Sequence, residues 1–434
     1  MYLYTRIAQR ATDDKPVRVG LIGAGKFGSM FLAQVPNSPG IEVAAIADLH
    51  PARVRAGLRG LGWKDARADA TRFTDDAETL IRADDVDVVV EATGDPAVGI
   101  RHALKCIEHG KHVVMVNVEA DVLAGPWLAQ LARQAGVVYS MAYGDQPALV
   151  MEMVDWARCC GFRVVAAGKG TRYLPEYHAS TPDTVWSHYG LSAGEAEAAG
   201  MRSQMFNSFL DGTKSAIEMA AIANAAGLKA PSAGLAFPPC GVDDLAHVLR
   251  PKQAGGQLEA AGQVEVVSSL ERDGRPVARD LRWGVYCVFE APNDYSAACF
   301  RQYGMNTDSS GRYSAMYKPF HLIGMELNIS ILAAALDGRP TGTPIRFNAD
   351  VAAVAKRDLK VGDKLDGEGG YTVWGRLMPA ADSVAARVLP IGLAKDVKLT
   401  SGVGEGQVIS IDDIEPVAGS QAWQVREKML EIFA

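Results

Sequence analysis

Two side chains that can exchange protons, Lys214 and Glu218, lie four residues apart in an otherwise apolar part of the chain. On a helix, residues at this spacing share one face, with about 5–6 Å between their Cβ atoms. Because the neighbouring side chains are small or apolar, the pair must either form an internal salt bridge or line a cavity. In the second interpretation Lys214 polarises or protonates a carbonyl oxygen, and Glu218 tunes the acidity of the lysine.

Another lysine, Lys169, lies between two glycines directly after the apolar segment 162–167, which we interpret as a strand. Flanking glycines let a ligand approach the backbone closely, so a cation here could hold a phosphate or a carboxylate. A solvated lysine in a turn is the alternative. Arg172 adds donors to the same predicted loop and is a candidate substrate contact.

Residues 23–28, G-A-G-K-F-G, match the pattern G-x-G-x-x-G between a strand-like run and a segment of helical periodicity. In this pattern the first glycine allows a tight turn, the second admits a pyrophosphate, and the third lets helix and strand pack closely. The N-terminus of the helix then faces the phosphates. The residues predicted to bind a dinucleotide here are Gly23, Gly25, Lys26, Phe27 and Gly28.

The first part of the chain alternates helical segments with apolar runs at 17–22, 41–47, 86–91, 112–116 and 137–141. This alternation predicts an α/β fold with a doubly wound parallel sheet of the Rossmann type. Asp48 ends the second run, 20 residues beyond Gly28, where an acid would bind the ribose diol of the adenosine. A carboxylate there favours NAD over NADP because it would repel a 2′-phosphate, although Arg53 could offset that repulsion.

Polar residues also follow the later runs, at the sheet edge where ligands of α/β proteins bind. Thr93 and Gly94 follow the third run and Asn117 follows the fourth, and we expect all of them to contact the cofactor. Glu119 comes next and is a candidate catalytic acid. Asp145 follows the last run and could contact nicotinamide or substrate, or cap the next helix.

Several of these segments resemble the homoserine dehydrogenase branch of the Rossmann oxidoreductases, notably 89–94 (V-V-E-A-T-G) and 111–117 (K-H-V-V-M-V-N). Segments 117–122, 167–170 and 211–224 are similar to the deoxyxylulose phosphate reductoisomerase-like (DRL) proteins within that group. The resemblance covers nearly the whole chain. It implies an NAD(P)-dependent oxidoreductase that assembles as a homodimer or homotetramer.

The sequence departs from homoserine dehydrogenases at catalytic positions. Val118 stands where those enzymes carry a lysine, and Lys214 and Glu218 stand where they carry an acid and then a lysine. These departures argue against homoserine as the substrate. Reductoisomerases commonly use a divalent metal, so a metal remains open, although no spacing of ligands in the sequence indicates one.

The resemblance also implies three domains: a Rossmann domain at 1–150, an α+β catalytic and oligomerisation domain at 151–345, and a β-rich SAF-type domain at 346–434. In the central domain, apolar runs between turns suggest an antiparallel sheet. Residues 172–202 are polar and irregular and predict a long loop or lid. Lys318 and His321 precede an apolar stretch. The resemblance favours His321 as a catalytic ligand contact, with a structural histidine as the alternative, and Lys318 is a candidate substrate contact.

Composition excludes several classes of function. The chain has 434 residues, 48% of them hydrophobic and 22% charged, with a formal net charge of −7. This balance is typical of a soluble globular protein and argues against a nucleic-acid binder. The apolar runs are too short to cross a bilayer, and no secretory signal precedes the first charges, so we expect a cytoplasmic protein with free thiols.

These observations together predict hydride transfer between NAD(H) or NADP(H) and the carbonyl or alcohol carbon of a small anionic polyol, phosphorylated or acidic. Reductoisomerisation of 1-deoxy-D-xylulose 5-phosphate is the leading specific reaction. Two alternatives stay open. One is a metabolite sensor that binds the cofactor without turnover, and the other is a homoserine-dehydrogenase-like enzyme acting on another substrate.

Overall fold

The computed structural model describes residues 2–417 and 419–434. Its helices are α1 Leu3–Thr12, α2 Lys26–Gln34, α3 Pro51–Gly57, α4 Asp65–Ala70, α5 Ala77–Arg82, α6 Pro96–Glu108, α7 Val118–Gln134, α8 Gln146–Cys159, α9 Val185–Tyr189, α10 Ala193–Ala198, α11 Ser203–Leu210, α12 Thr213–Ala226, α13 Leu245–Val248, α14 Asp294–Gln302, α15 Asn328–Asp337, α16 Ala380–Ala385 and α17 Gln421–Phe433. Its strands are β1 Val17–Ile22, β2 Ile41–Ala47, β3 Arg72–Thr74, β4 Val88–Glu91, β5 His112–Met115, β6 Tyr139–Met141, β7 Arg163–Thr171, β8 Gln263–Ser268, β9 Val285–Glu290, β10 Tyr313–Lys318, β11 Ala349–Ala355, β12 Lys364–Asp366, β13 Val373–Pro379 and β14 Lys395–Lys398.

The chain divides into two compact units. The first unit contains the residues up to Glu152, then His321–Ile345 and Gln424–Ile432, and the second contains Met153–Phe320, Arg346–Trp423 and the last two residues. Residues 321–345, which the sequence placed in the central domain, therefore group with the first unit. Residues 346–423 group with the central region, and a separate SAF-type domain stays a prediction.

The first unit is built on a six-stranded sheet with the order β3-β2-β1-β4-β5-β6. Every neighbouring pair in it is parallel, which confirms the predicted doubly wound sheet. Its central strands are nearly continuous apolar runs because helices cover both faces of a parallel sheet. Val19, Leu21 and Val88 of these strands share one core with Phe31 of α2 and Ile331 of α15.

The second unit contains a four-stranded mixed sheet with the order β10-β9-β7-β8. β9 runs antiparallel to β7 and to β10, whereas β7 and β8 are parallel, so the prediction of a purely antiparallel sheet was wrong at one pair. Two smaller antiparallel pairs, β11 with β13 and β12 with β14, are formed by residues beyond 345.

Helix α12 is the central helix of this second unit. It packs against β7 and β8 of the mixed sheet and also against β11 and β13. All of its residues except Lys214 are buried as a result. This location explains why its sequence is apolar all round, which is typical of a fully enclosed helix.

The segment 172–202, predicted as a loop or lid, is instead compact and partly helical. It contains α9, α10 and a short 3₁₀ helix at Pro175–Ala179. Tyr177, Val185 and Trp186 pack with Leu210 and Leu270 in a small hydrophobic cluster. Helix α10 begins with a capping box in which the Ser192 and Glu195 side chains bond each other's backbone amides. That S-x-x-E signature was present in the sequence and was not recognised.

Three further findings apply to the part of the chain that the structure describes. None of its helices is long and apolar enough to cross a membrane. All six cysteines are free thiols. Within the same residues, no group of three or more His, Cys, Asp or Glu side chains is arranged to hold a metal ion.

Candidate cofactor and catalytic sites

The glycine loop between β1 and α2 has the geometry that the sequence pattern requires. Gly23 has a φ of +91°, and a Cβ there would come within 2.6 Å of the Ala92 carbonyl oxygen. A Cβ on Gly28 would lie 2.5 Å from the Gly23 carbonyl oxygen, whereas one on Gly25 would meet no atom within 4 Å. The outer glycines are therefore required by packing, and Gly25 leaves open space at the start of α2, where a pyrophosphate can approach the free amides.

Asp48 lies beside this loop at the end of β2. Its Oδ2 accepts a hydrogen bond of 2.9 Å from the Ala24 amide, and its Oδ1 accepts one of 2.9 Å from the His50 amide. The carboxylate is thus held next to the glycine loop, in the position expected of a ribose ligand. Lys26 is exposed and Phe27 is half-buried in the first turn of α2.

A buried acid that the sequence analysis missed organises the turn after β4. Glu91 has no exposed surface, and its Oε1 accepts hydrogen bonds from the Thr93 amide and the Thr93 hydroxyl. His102 Nδ1 lies 3.3 Å from the same oxygen. The signal was a glutamate at the end of an apolar strand. Glu91 orients Thr93 and the following Gly94, which has a φ of +77°.

Asn117 is engaged as a helix cap. Its Oδ1 accepts a hydrogen bond of 3.1 Å from the Ala120 amide of α7, and its Nδ2 donates one of 2.8 Å to the Asp95 carbonyl. The side chain is 2% exposed and ties two loops of the sheet edge together. Contact with the cofactor therefore stays a prediction for Asn117, as it does for Thr93 and Gly94. Glu119 follows in the first turn of α7 and is 8% exposed.

One turn beyond the cap, Asp121 carries a second buried carboxyl group. Burial raises the pKa of Asp121 to about 7. It faces the buried hydroxyl of Tyr139, and within the described residues neither group makes a hydrogen bond of regular geometry. Asp121 is therefore a proton-binding group close to neutral pH.

The first unit also brings together residues that are far apart in the sequence. Gln146 Nε2 lies 3.2 Å from Nε2 of His321, and Asp145 Oδ1 accepts a hydrogen bond of 2.8 Å from the Gln146 amide. A Cβ on Gly144 would lie 2.7 Å from the Leu322 carbonyl oxygen, so these two loops touch. Asp145 precedes α8, and His321 lies beside the start of that helix.

In the second unit, the acid Glu218 forms an ion pair with Lys169. Lys169 lies within β7 and not in a loop, and it is 5% exposed, so the solvated-turn alternative was wrong. Glu218 is 2% exposed, on α12. Lys214 lies one turn earlier on the same face of α12 and is half-buried. The structure thus places Lys169, Glu218 and Lys214 where β7 meets α12.

Lys318 lies in line with Lys169 across the mixed sheet. Lys169 pairs with Val285 of β9, and Val285 pairs in turn with Lys318 of β10. Residues directly opposite each other on neighbouring strands point to the same face, and two strand spacings amount to about 10 Å. The two lysines therefore share one face of the sheet. Arg172, half-buried, follows the end of β7.

A second buried ion pair, unforeseen from the sequence, holds the start of α12. Lys356 Nζ donates hydrogen bonds of 2.8 Å to Asp211 Oδ2, 2.6 Å to the Ser180 carbonyl and 2.8 Å to the Gly370 carbonyl. Asp211 Oδ1 accepts a hydrogen bond of 2.9 Å from the Thr213 amide at the start of α12. This pair fixes where the helix begins.

Two family models match consecutive parts of the chain. Residues 23–141 match the NAD binding domain of homoserine dehydrogenase, and residues 144–327 match the catalytic domain of oxidoreductase DRL. The chain is therefore similar to these two domain types in succession. The resemblance to DRL proteins and homoserine dehydrogenases is thereby confirmed, and the first domain is a nicotinamide-nucleotide domain.

Curated relatives match over shorter stretches. Homoserine dehydrogenase of Mycobacterium tuberculosis is 30% identical over 223 residues, which cover 49% of this chain and 48% of the relative. That of Neisseria gonorrhoeae is 29% identical over 133 residues, covering 29% of this chain and 28% of the relative. The chain thus spans about half the length, or less, of the curated relatives it matches.

The matches to solved structures are of low similarity. A probable dehydrogenase from Thermotoga maritima is 15% identical, with a TM-score of 0.40, and the match covers 74% of this chain and 90% of that one. Myo-inositol dehydrogenase from Lactobacillus casei, in complex with NAD(H) and myo-inositol, is 16% identical with a TM-score of 0.29. That match covers 40% of this chain and 50% of the other.

Proposed function

We propose that the protein is an NAD(P)-dependent oxidoreductase that transfers hydride between nicotinamide and a carbonyl or alcohol carbon of a small anionic polyol. The bound nicotinamide supplies or accepts the hydride. The proposal for the cofactor is supported by the open backbone at Gly25 and by Asp48, whose carboxylate is held beside the glycine loop. Asp48 favours NAD, since it would repel the 2′-phosphate of NADP.

The observation that carries the catalytic proposal is the buried ion pair of Lys169 and Glu218. Taking both charges out of water costs several kcal/mol per ion. The pair also differs from the buried Asp211–Lys356 pair in having further lysines near it, Lys214 on the same helix and Lys318 on the same sheet face. The adjacent Lys214 adds a half-buried ammonium group on the same helix face.

Each of these residues has a role in the proposed reduction. As hydride reaches the carbonyl carbon, negative charge develops on the oxygen, and a nearby ammonium group stabilises it. Lys214 donates the proton that converts this oxygen to a hydroxyl, and the reverse reaction returns that proton. Glu218 positions Lys169, whose ammonium group holds an anionic oxygen of the substrate.

The charges favour a phosphorylated or acidic substrate. Lys169 and Lys318 share a sheet face about 10 Å apart. That spacing suits a short polyol with a phosphate or carboxylate at one end. We propose 1-deoxy-D-xylulose 5-phosphate as the first substrate to test, followed by other phosphorylated and acidic polyols. Glu119, Asp145, Arg172 and His321 remain candidate contacts.

The test is the rate of NADH or NADPH oxidation with 1-deoxy-D-xylulose 5-phosphate and the polyol panel. Replacing Glu218→Gln should lower kcat at least 100-fold while leaving the affinity for NADH within about threefold of wild type, because Glu218 acts through Lys169. The control Asp308→Asn breaks another buried ion pair of the same unit, that with Arg250, and should retain kcat.

The Glu218→Gln variant leaves Lys169 charged and alone, so it could fail to fold. The double variant K169M/E218M removes both charges, and replacing a buried pair by apolar groups is often neutral for stability. It should fold, bind NADH and lack turnover. Turnover in the folded double variant would refute these roles. NADH binding by the wild type without turnover on any polyol would favour the metabolite sensor.

A further inference from the structure

A small pocket lies on the side of α12 away from the catalytic lysines. It encloses about 110 Å³ within the second unit. The pocket is lined by the start of α12, the loop 233–237, strand β13 and the segment before α9. Its lining residues include Gly212, Ala216, Leu235, Phe237, Arg376 and His178. None of the candidate catalytic residues lines it.

Helix geometry separates this pocket from the catalytic face. Ala216 is the residue of α12 that lines the pocket, and Gly212, just before the helix begins, lines it as well. Lys214 and Glu218 are each two residues from Ala216, which is about 200° around the helix axis. A ligand in the pocket would therefore contact α12 from the side opposite to the Lys169–Glu218 pair.

Arg376 is the charged residue among those lining the pocket. Its Nε is buried and makes no hydrogen bond within the described residues. The backbone of the loop 233–237 packs closely against the Arg376 side chain at Gly234, where a Cβ would lie 3.3 Å from Arg376 Cγ. A buried guanidinium nitrogen without a partner is costly, and an anion in the pocket would satisfy it.

The other polar group, His178, is already engaged. Its Nδ1 lies 2.7 Å from the Asp211 carbonyl, which can only accept, so Nδ1 carries a proton. Its Nε2 lies 3.0 Å from the Tyr173 hydroxyl and accepts from it. Burial lowers the pKa of His178, so the ring is neutral. Arg376 therefore supplies the net positive charge among the lining residues, and a single charge matches a monoanion better than a phosphate.

Aromatic and aliphatic groups form the rest of the wall. The rings of His178 and Trp374 stack with centroids 3.9 Å apart, and those of Tyr173 and Phe237 stack at 3.9 Å. These stacks hold the wall rigidly. Ala216 and Leu235 contribute apolar surface, which suits a short hydrocarbon chain.

We propose that this pocket is a second ligand site, which binds a small monocarboxylate through Arg376. The planar guanidinium fork matches the two oxygens of a carboxylate. A pocket of about 110 Å³ admits only a small molecule, which agrees with a short-chain acid. The ligand's apolar chain would lie between Ala216, Leu235 and Phe237.

The experiment is calorimetric titration of the full-length protein with butyrate, and with butyramide as the uncharged isostere. We expect butyrate to bind with a dissociation constant on the order of 1 mM, as befits so few atoms. Butyramide should bind at least tenfold more weakly. Arg376→Gln should weaken butyrate binding at least tenfold, while Arg357→Gln, an exposed arginine of the same segment, should leave it unchanged.

Because Arg376→Gln could fail to fold, a second pocket variant provides an independent test. Ala233 lines the pocket but is exposed, so Ala233→Phe should block the pocket without entering the core. It should also abolish butyrate binding, whereas the double variant K169M/E218M should retain it, because the catalytic pair lies on the other side of α12. Absence of butyrate binding to the wild type, or binding that survives both pocket variants, would overturn the proposal.

Discussion

At the level of single residues, the glycines of the loop between β1 and α2 have two different roles: Gly25 leaves space for the cofactor, and Gly28 is required by packing. Gly25→Ala should lower NADH affinity at least tenfold and leave the unfolding temperature unchanged, because the added methyl group meets no protein atom but occupies the path of the pyrophosphate. Gly28→Ala should lower both, since its Cβ would lie 2.5 Å from the Gly23 carbonyl oxygen.

Calorimetric titration and thermal unfolding measure both effects. Gly60→Ala is the matched control, because a Cβ there also meets nothing within 4 Å, at a position outside the loop. If Gly25→Ala bound NADH as tightly as the wild type, the backbone at Gly25 would not be the pyrophosphate site.

Asp48, which lies beside this loop, is predicted to set the preference between the two cofactors. Asp48→Asn keeps an oxygen to accept the Ala24 amide but removes the charge, so the preference for NADH over NADPH should fall by about tenfold. Parallel titrations with the two nucleotides measure the ratio. The control Glu108→Gln removes an exposed charge at the C-terminal end of α6 and should leave the ratio of NADH to NADPH affinity unaltered. An unchanged ratio in Asp48→Asn would show that Asp48 does not contact the ribose.

At the scale of the element, α12 depends on the Asp211–Lys356 pair at its start. Lys356→Met leaves the Asp211 carboxylate buried without its cation and should destabilise the second unit by about 3–5 kcal/mol. Denaturant unfolding measures the change. Adding Asp211→Asn should recover part of the loss, and the exposed Lys360→Met should change stability by less than about 0.5 kcal/mol. A Lys356→Met variant as stable as the wild type would contradict this role.

The start of α7 should make the first unit sensitive to pH. The pKa of Asp121 is raised from 3.8 to about 7, so its contribution to stability is complete below the unfolded pKa and is lost as pH rises through 7. Asn in its place does not titrate. The stability of Asp121→Asn relative to wild type should therefore rise by about 4 kcal/mol between about pH 4 and pH 8.

Denaturant unfolding across this pH range tests the prediction for Asp121. The control Asp13→Asn replaces an exposed carboxylate and should follow the wild type at each pH. Parallel curves for Asp121→Asn and wild type would mean that Asp121 is ionised throughout.

The elements that the sequence predicted best are those with strong local patterns. The parallel strands and the glycine loop follow from apolar runs and from spacing alone. β7 was cut short because Gly168 and Gly170 suggest a turn. In the structure, a Cβ on Gly168 would lie 1.8 Å from the Glu265 carbonyl oxygen, so the glycines serve close approach of neighbouring strands. A sequence does not distinguish these two uses of glycine.

Less of the candidate site than of the fold could be predicted from the sequence. Lys214 and Glu218 were paired because helical spacing is visible in a sequence. The ion pair of Lys169 with Glu218 joins residues 49 positions apart and depends on how α12 packs on β7. Such long-range contacts, like that of Gln146 with His321, have no local signature.

At the scale of the whole molecule, the chain crosses between its two units more than once. The sequence boundaries near 150 and 345 lie close to the junctions at Glu152 and Ile345. The return of α15 to the first unit could not be predicted, because an apolar helix does not indicate which core it joins. That the protein is a cytoplasmic homodimer or homotetramer, with a SAF-type module and a small-molecule partner, stays a prediction.

The central claim is that the two domain types together reduce or oxidise an anionic polyol with a nicotinamide cofactor. Titration with NADH and NADPH, followed by the oxidation assay on 1-deoxy-D-xylulose 5-phosphate and the polyol panel, tests it most directly. We expect NADH to bind more tightly than NADPH and to be oxidised in the presence of at least one polyol. Failure of both nucleotides to bind to the folded protein would rule out the proposed oxidoreductase.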